Sequence, residues 1–254
     1  MSVARDGVRS AIAALSFLTA VPVGRRAAIA ADDLRRGAAW FPVVGAAVGG
    51  VVAMVAWGAA TILPTVPAAV LAVAAGVIVT GAFHLDGLAD TADGVGAALS
   101  GRDPGEVMAD PRLGTFGGAG LVLDLLLKTS VVSALITTDG FPWAIVAAGT
   151  LGRMSVLALA LAIPYAGPGD GAGPWTRALD RRRCLAGLGA GALIAIATAG
   201  LVSLAMAAAA ALVCAVVARW SSRHLGGMRG DTFGAAAEIT ETVGLAVALA
   251  LGDR

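Results

Sequence analysis

The chain has 254 residues, of which 58% are hydrophobic and only 14% charged, and its mean hydropathy is +0.85. A soluble domain is roughly half apolar and about a quarter charged, so this composition excludes a soluble globular protein and predicts an integral membrane protein. The formal net charge of +1 identifies no charged partner, and we expect the lipid bilayer to surround the protein and no nucleic acid to bind it.

Apolar runs in chain order predict an all-α, polytopic integral membrane helix bundle. Residues 11–23 are too few for a membrane-spanning helix, which needs about 20 apolar residues, so we predict an N-terminal interfacial or re-entrant segment. About seven transmembrane helices follow, within residues 38–63, 66–83, 119–137, 142–163, 184–220 (two helices joined near 200–203) and 235–251. We find no internal repeat, and we expect a single membrane-embedded domain over residues 1–254.

Arginines mark one side of this bundle. Arg25, Arg26, Arg35 and Arg36 precede the first span, and the arginines of the three polar segments fall on the same side if the spans alternate. The opposite turns carry no basic residue. Because basic loops stay in the cytoplasm, we predict a multi-pass protein of the bacterial cytoplasmic (inner) membrane whose polar loops face the cytoplasm. We predict no oligomeric state.

The most informative segment follows the second span, where residues 83–94 read FHLDGLADTADG. On a helix Asp86, Asp90 and Asp93 lie within about 60° of one another, so their carboxylates share one face and repel unless a cation lies among them. Oxygen ligands of this kind suit Mg²⁺, or Mn²⁺, together with substrate phosphates. We predict these aspartates as metal ligands and catalytic residues. His84 points away from them on the wheel and is either an acid–base group or a cap at the interface.

A glycine-rich turn follows, with the sequence MADPRLGTFG at residues 108–117. Before a helix, such a turn offers free backbone N–H groups at the positive end of the helix dipole, which suits an anion. We therefore predict that Gly114 and Thr115 bind substrate. Arg112 would add a bidentate phosphate contact and Asp110 a further metal ligand.

Charged residues also lie inside the spans. Asp124 and Lys128 are four residues apart in the third span, and Arg153 lies in the fourth. Charges inside a membrane helix face a polar cavity or a partner. Two interpretations remain open: a mutually neutralising structural pair, or a substrate-binding role in which Lys128 and Arg153 contact a phosphate.

The last polar motif, GDTFGAAAEITE at residues 230–241, enters the final span. It places the acidic residues Asp231, Glu238 and Glu241 at the start of a helix, beside Thr232. We predict that these four residues bind substrate as a second polar wall of the site. A charged helix start without a functional role is the alternative.

The chain resembles the cobalamin synthase family, formally adenosylcobinamide-GDP ribazoletransferase. The resemblance rests on three motifs, on their order and on their separations: FHLDGLADTADG, MADPRLGTFG and GDTFGAAAEITE. The resemblance covers essentially the whole chain. It implies Mg²⁺-dependent transfer of the phosphocobinamide group of adenosylcobinamide-GDP to α-ribazole or α-ribazole 5′-phosphate. GMP is released, and adenosylcobalamin or its 5′-phosphate forms. The chain departs from the family pattern at residues 164–175, where Gly167, Pro168 and Asp170 replace an expected Tyr-Ala-Arg run. The resemblance therefore implies that a substrate-contacting arginine is either absent here or shifted to Arg177.

Three other functions share some of these features. A CDP-alcohol phosphotransferase matches the start of its motif at Asp90–Gly94, but Ala98 replaces the arginine that the motif requires. A UbiA-type prenyltransferase matches Asp86 and Asp90 but needs an asparagine-bearing motif, and this chain contains no asparagine. A small transporter would use the charges inside the spans, but such proteins usually have repeated halves and a midplane site.

Overall fold

The structure, a computed structural model, describes residues 2–23, 31–168 and 174–252. Within these ranges the predicted all-α class is confirmed, because the β-type pairing is limited to an isolated bridge between Tyr165 and Met228. The described ranges contain eleven α-helices: α1 (Ser2–Leu18), α2 (Ala31–Gly37), α3 (Phe41–Ala60), α4 (Thr65–Thr80), α5 (Phe83–Leu99), α6 (Pro104–Met108), α7 (Thr115–Leu135), α8 (Phe141–Ala162), α9 (Arg181–Ala199), α10 (Val202–Leu225) and α11 (Gly230–Leu251).

Long apolar helices dominate the bundle. In the described ranges, six spans are long and apolar enough to cross a membrane. The first runs from Asp32 to the end of α3, and the other five are α7, α8, α9, α10 and α11. The bent pair of α4 and α5 is a seventh candidate. The prediction of a polytopic bundle with about seven spans is therefore confirmed. The long apolar run 184–220 divides into α9 and α10 at Gly200, which has a positive φ of 54° and ends α9.

Two spans, α7 and α11, begin at least four residues earlier than predicted. The helix α7 begins at Thr115 instead of residue 119, and α11 begins at Gly230 instead of residue 235. Hydropathy assigns the glycines and polar residues before each apolar run to a loop, whereas hydrogen bonds at the helix ends extend both helices over them. As a result, Thr115, Asp231 and Thr232 lie in the first turns of helices.

A sharp bend separates α4 from α5. Gly81 and Ala82 both have left-handed backbone angles, with φ of 63° and 59°, and the two helix axes meet at 92°. Glycine adopts this conformation freely, but for alanine it costs about 1–2 kcal/mol. The bend directs α5 away from the axis of α4 and against α7 and α11. The aspartates therefore lie on a separate helix instead of on the end of the second span.

The helix α1 begins nine residues before the predicted interfacial segment and ends at Leu18, before residue 23. Its 17 residues are fewer than a membrane span requires, as predicted. Near its end, Phe17 packs against Phe41, Phe83 and Trp175, with ring centroids 5.8, 5.3 and 6.2 Å away. The N-terminal segment thus covers the beginning of α5.

Candidate active site

The acidic face of α5 is formed as the sequence predicts. Asp86, Asp90 and Asp93 lie on one regular helix, with Asp86 exposed and the other two half-buried. Within the described part of the chain, none of the three forms a salt bridge with a lysine, arginine or histidine. Their negative charge is therefore not neutralised by the protein.

A fourth carboxylate joins this face from α11. Gly87 packs so closely against the first turn of α11 that a methyl group on it would lie 2.6 Å from the carbonyl oxygen of Asp231. Asp90 consequently lies within electrostatic range of Asp231 as well as of Asp86 and Asp93. The helical wheel of α11 groups Asp231 with the glutamates further along the same helix, so tertiary packing alone reveals this proximity.

The donor chemistry of these carboxylates fits a hard divalent cation. Among the described residues, however, no three His, Cys, Asp or Glu side chains converge into a ready metal cage. Mg²⁺ usually keeps several waters and binds through one or two carboxylates plus substrate phosphates, so a complete protein cage is not required. The carboxylates of Asp86, Asp90 and Asp231 are therefore candidate oxygen donors, of which one or two would bind Mg²⁺ directly.

Asp93 differs from its neighbours because its carboxylate has partners. One oxygen, Oδ2, accepts a hydrogen bond from the backbone N–H of Gly114, and the other, Oδ1, accepts one from the N–H of Gly117, both at 2.8 Å. The backbone donors that the sequence predicts for an anion at this turn are thus engaged by a carboxylate of the protein itself. This contact also holds the glycine-rich turn against α5.

Asp110 and Arg112 pair with each other in the same loop. The guanidinium Nε and Nη2 atoms of Arg112 donate to the Asp110 carboxylate at 2.9 and 2.6 Å, and the backbone N–H of Arg112 donates at 3.0 Å. The side-chain and then the backbone hydrogen bonds of Arg112 lower the pKa of Asp110 to about 2. Asp110 is therefore ionised throughout the physiological range, and Arg112 remains largely exposed beside it.

An open cleft of about 670 Å³ lies between the end of α5 and the glycine-rich loop. Its polar wall contains the predicted residues Asp93, Asp110, Arg112, Gly114 and Thr115. The wall residues that are absent from the predicted site include Arg102 and Phe116. Arg102 could have been found from its position in the same arginine-bearing loop, whereas nothing in the sequence distinguishes Phe116 from an ordinary membrane-facing residue.

Thr232 is fully buried at the start of α11. Its hydroxyl accepts a hydrogen bond from the backbone N–H of Arg229 at 2.9 Å and lies 3.0 Å from the Arg229 carbonyl oxygen, to which it donates. These bonds fix the helix start that carries Asp231. Thr232 thus positions Asp231 in this structure.

The charged residues inside the spans form one buried network. Lys128 pairs with Glu238, and Arg153 pairs with Glu241. Lys128 also lies 3.7 Å from Asp124 and 3.6 Å from Glu241. Three helices, α7, α8 and α11, are therefore joined by ion pairs inside the bundle.

This network lies below the acidic face, not on it. Glu238 is seven residues beyond Asp231, which places it about 10 Å further along α11. Lys128 and Arg153 are only 7% and 2% exposed. Of the two interpretations of Lys128, a structural ion pair therefore fits better than contact with a substrate phosphate. The pair with Asp124 is part of a larger network of buried charges.

His84 also faces inwards. Its imidazole is 3% exposed, and its Nδ1 atom has no hydrogen-bond partner. The charges that act on it belong to Arg153, Glu241 and Lys128 and not to the aspartates of α5, in agreement with the prediction that it points away from them. His84 links the aromatic cluster around Phe83 to the buried network.

Comparisons with known proteins agree with the three motifs. The sequence profile described as cobalamin-5-phosphate synthase matches residues 10–249. Proteins named adenosylcobinamide-GDP ribazoletransferase are similar: that of Leptothrix cholodnii is 40% identical, covering 90% of each chain, and that of Shewanella frigidimarina is 35% identical, covering 94% of this chain and 93% of its own. The protein of that name from Ralstonia nicotianae is 34% identical over 98% of both chains. No solved structure matches significantly. The chain belongs to the cobalamin-5-phosphate synthase family.

Proposed function

We propose that the protein is an adenosylcobinamide-GDP ribazoletransferase, a cobalamin synthase. It transfers the phosphocobinamide group of adenosylcobinamide-GDP to α-ribazole or α-ribazole 5′-phosphate and releases GMP. Family membership and the names of the relatives support this proposal. The observation that carries it within the structure is the set of aspartate carboxylates from α5 and α11, which form no salt bridge with a described residue and lie close to a polar cleft that contains two arginines.

In the proposed reaction, an acceptor hydroxyl attacks the phosphorus that carries the cobinamide alcohol. The bond from this phosphorus to the bridging oxygen breaks, and that oxygen leaves as part of GMP. Because the 5′ oxygen of α-ribazole 5′-phosphate is already esterified, an acceptor position common to both acceptors is another ribose hydroxyl. The hydroxyl proton passes to a carboxylate, and exposed Asp86 is better placed to take it than buried His84.

We propose Mg²⁺ as the cofactor, with Mn²⁺ as a substitute, held by Asp86, Asp90 and Asp231. When bound, it would neutralise the diphosphate and stabilise the leaving phosphate. Arg112 and Arg102 in the cleft would bind the remaining phosphate charge, with Arg112 keeping its guanidinium plane aligned by Asp110. The buried pairs of Lys128 and Arg153 would fix α7, α8 and α11 beneath the site.

We further propose that the whole chain forms one domain in the bacterial inner membrane, with the acidic face towards the cytoplasm. The starts of α5, α7 and α11 carry the site, and the polar loops that lead into them contain the exposed residues Arg102 and Arg112. Arg25 and Arg26, which contribute to the predicted charge asymmetry, lie outside the described residues. The positive-inside tendency supports this orientation.

The test is GMP release by purified, detergent-solubilised protein supplied with adenosylcobinamide-GDP and α-ribazole. Mg²⁺-dependent release, lost with EDTA and in Asp90→Asn, is expected. Asp139→Asn is the matched control, because Asp139 is exposed in the turn between α7 and α8, at the opposite end of the bundle. CMP release from a CDP-alcohol without GMP release would favour the phosphotransferase alternative. A folded protein that releases neither nucleotide would contradict both enzyme functions.

A further inference from the structure

The residue before α7 has no side chain with which to cap the helix. Gly114 occupies the N-cap position and has no side chain, and α7 therefore lacks a local acceptor for the free N–H groups of its first turn. Asp93 supplies this acceptor from α5, 21 and 24 residues earlier in the chain. A carboxylate at this position is also favoured by the positive end of the helix dipole.

The two N–H groups that Asp93 accepts are the pair that a capping box satisfies. In a capping box, one side chain accepts from the N–H of the third helical residue, and another accepts from the N–H of the N-cap residue. Here Gly117 is the third helical residue and Gly114 the N-cap, and the two oxygens of a single carboxylate accept from both. The acceptor thus comes from a different helix.

Glycine at both positions is what lets this carboxylate approach. A methyl group on Gly114 or on Gly117 would overlap the carboxylate oxygens of Asp93. By contrast, a methyl group on Gly118 would find its nearest contact, Leu113 Cδ2, at 3.9 Å. The loop backbone therefore encloses the Asp93 oxygens, whereas no described hydrogen bond or salt bridge engages the carboxylate of Asp86 or Asp90.

We propose that Asp93 is a positioning residue that clamps the glycine-rich loop onto α5, and that it is not a ligand of the divalent cation. The cation would then be held by Asp86, Asp90 and Asp231 alone. The clamp sets the position of Arg112 and Thr115 in the cleft. The consequence for catalysis rests on the proposed function, but the clamp itself can be measured without substrate.

The first experiment separates the clamp from the cation site in the full-length, detergent-solubilised protein. Hydrogen exchange, followed by mass spectrometry on peptides within residues 109–120, is compared in wild type, Asp93→Ala and Asp90→Ala. Mn²⁺ binding to the same proteins is measured by electron paramagnetic resonance. We expect Asp93→Ala to raise loop exchange about five- to tenfold, the factor expected for a lost helix cap, with Mn²⁺ affinity within about twofold of wild type. Asp90→Ala should weaken Mn²⁺ binding and leave loop exchange at the wild-type rate.

A second pair of variants leaves Asp93 in the sequence and tests whether displacing its carboxylate has the same effect as removing it. Gly114→Ala should raise loop exchange as Asp93→Ala does, because the new methyl group displaces the carboxylate; the backbone of Gly114, with φ of −88° and ψ of 178°, accepts alanine without strain. Gly118→Ala is the matched control and should leave exchange unchanged. This pair decides the question if Asp93→Ala does not fold.

Steady-state kinetics provide the functional readout. Asp93→Ala should raise KM for adenosylcobinamide-GDP more than it lowers kcat, and Asp93→Asn, which keeps one acceptor oxygen, should recover part of the loss. The apparent activation constant for Mg²⁺ should not change.

Two results would overturn the proposal. One is a loss of Mn²⁺ affinity in Asp93→Ala as large as that in Asp90→Ala. The other is loop exchange that stays at the wild-type rate in both Asp93→Ala and Gly114→Ala. If wild type binds no Mn²⁺, the proposed metal fails, and loop exchange alone decides the role of Asp93.

Discussion

Gly87 on α5 lies directly against the backbone of Asp231 on α11, so close that a methyl group on Gly87 would be 2.6 Å from the Asp231 carbonyl oxygen. This contact brings a carboxylate from the last membrane helix to the acidic face of α5. The site is therefore assembled from two helices that are far apart in sequence, and its geometry depends on their separation.

Gly87→Ala should disturb the site more than the overall fold. The added methyl group pushes α5 from α11 and moves Asp231 away from Asp90, so we expect kcat/KM to fall at least about tenfold, a loss of about 1.4 kcal/mol in transition-state stabilisation. Gly50→Ala is the control, because a methyl group there meets nothing within 4 Å. Equal activity of the two variants would show that the spacing of α5 and α11 does not matter.

Lys128 should contribute to stability instead of substrate affinity. Lys128→Met leaves Glu238 and Asp124 without their cation inside the bundle, which is expected to cost about 3–5 kcal/mol. Adding Glu238→Gln should recover part of this loss, with a coupling energy of about 1–3 kcal/mol. Thermal unfolding of the single and double variants in detergent measures both effects.

Steady-state kinetics distinguish this structural role of Lys128 from the alternative, in which Lys128 contacts a substrate phosphate. If Lys128 bound a substrate phosphate, Lys128→Met would raise KM strongly while the unfolding temperature stayed near that of wild type. This result would contradict the assignment of Lys128 to the buried network.

The Asp110–Arg112 pair should hold the exposed loop at every pH at which the enzyme works. The pKa of Asp110 falls from 3.8 to about 2 in the folded protein, so the stabilisation is fully present above about pH 4 and is lost as the pH falls through about 2. Trypsin cleavage after Arg112 should therefore be insensitive to the ionisation of Asp110 between pH 7 and 8.5. In Asp110→Asn it should become severalfold faster, because Arg112 is released.

Cleavage after Arg102 serves as the internal control, because Arg102 lies in the same polar segment and forms no ion pair with any residue that the structure describes. A parallel change at both arginines would indicate general loosening of the segment and would contradict a specific role for the pair.

Much of this architecture follows from the sequence. Hydropathy predicts the spans, and the spacing of Asp86 and Asp90 predicts a shared helix face, because both properties are periodic and local. The bend at Gly81 and Ala82 could not be predicted, since an alanine in a left-handed conformation has no sequence signature. Contacts between distant segments were also inaccessible: Lys128 and Glu238 pair across 110 residues.

The same limit explains the glycine-rich turn. Its composition correctly predicts a helix start with backbone N–H groups able to bind an anion. That the anion is the carboxylate of Asp93 depends on how α5 packs against α7, which no single-helix pattern contains. The cation-binding roles of Asp86 and Asp90 stay predictions, and that of Asp231 is a proposal that rests on the packing of α5 against α11.

Whether α5 and α11 hold the cation together is tested by the Mg²⁺ dependence of GMP release in wild type, Asp90→Asn, Asp231→Asn and the control Asp139→Asn. If carboxylates from α5 and α11 hold the cation together, Asp90→Asn and Asp231→Asn should each need at least about tenfold more Mg²⁺ for half-maximal activity, or lose activity entirely. The control Asp139→Asn should match wild type. An unchanged Mg²⁺ requirement in both Asp90→Asn and Asp231→Asn, with activity retained, would contradict a cation site between α5 and α11.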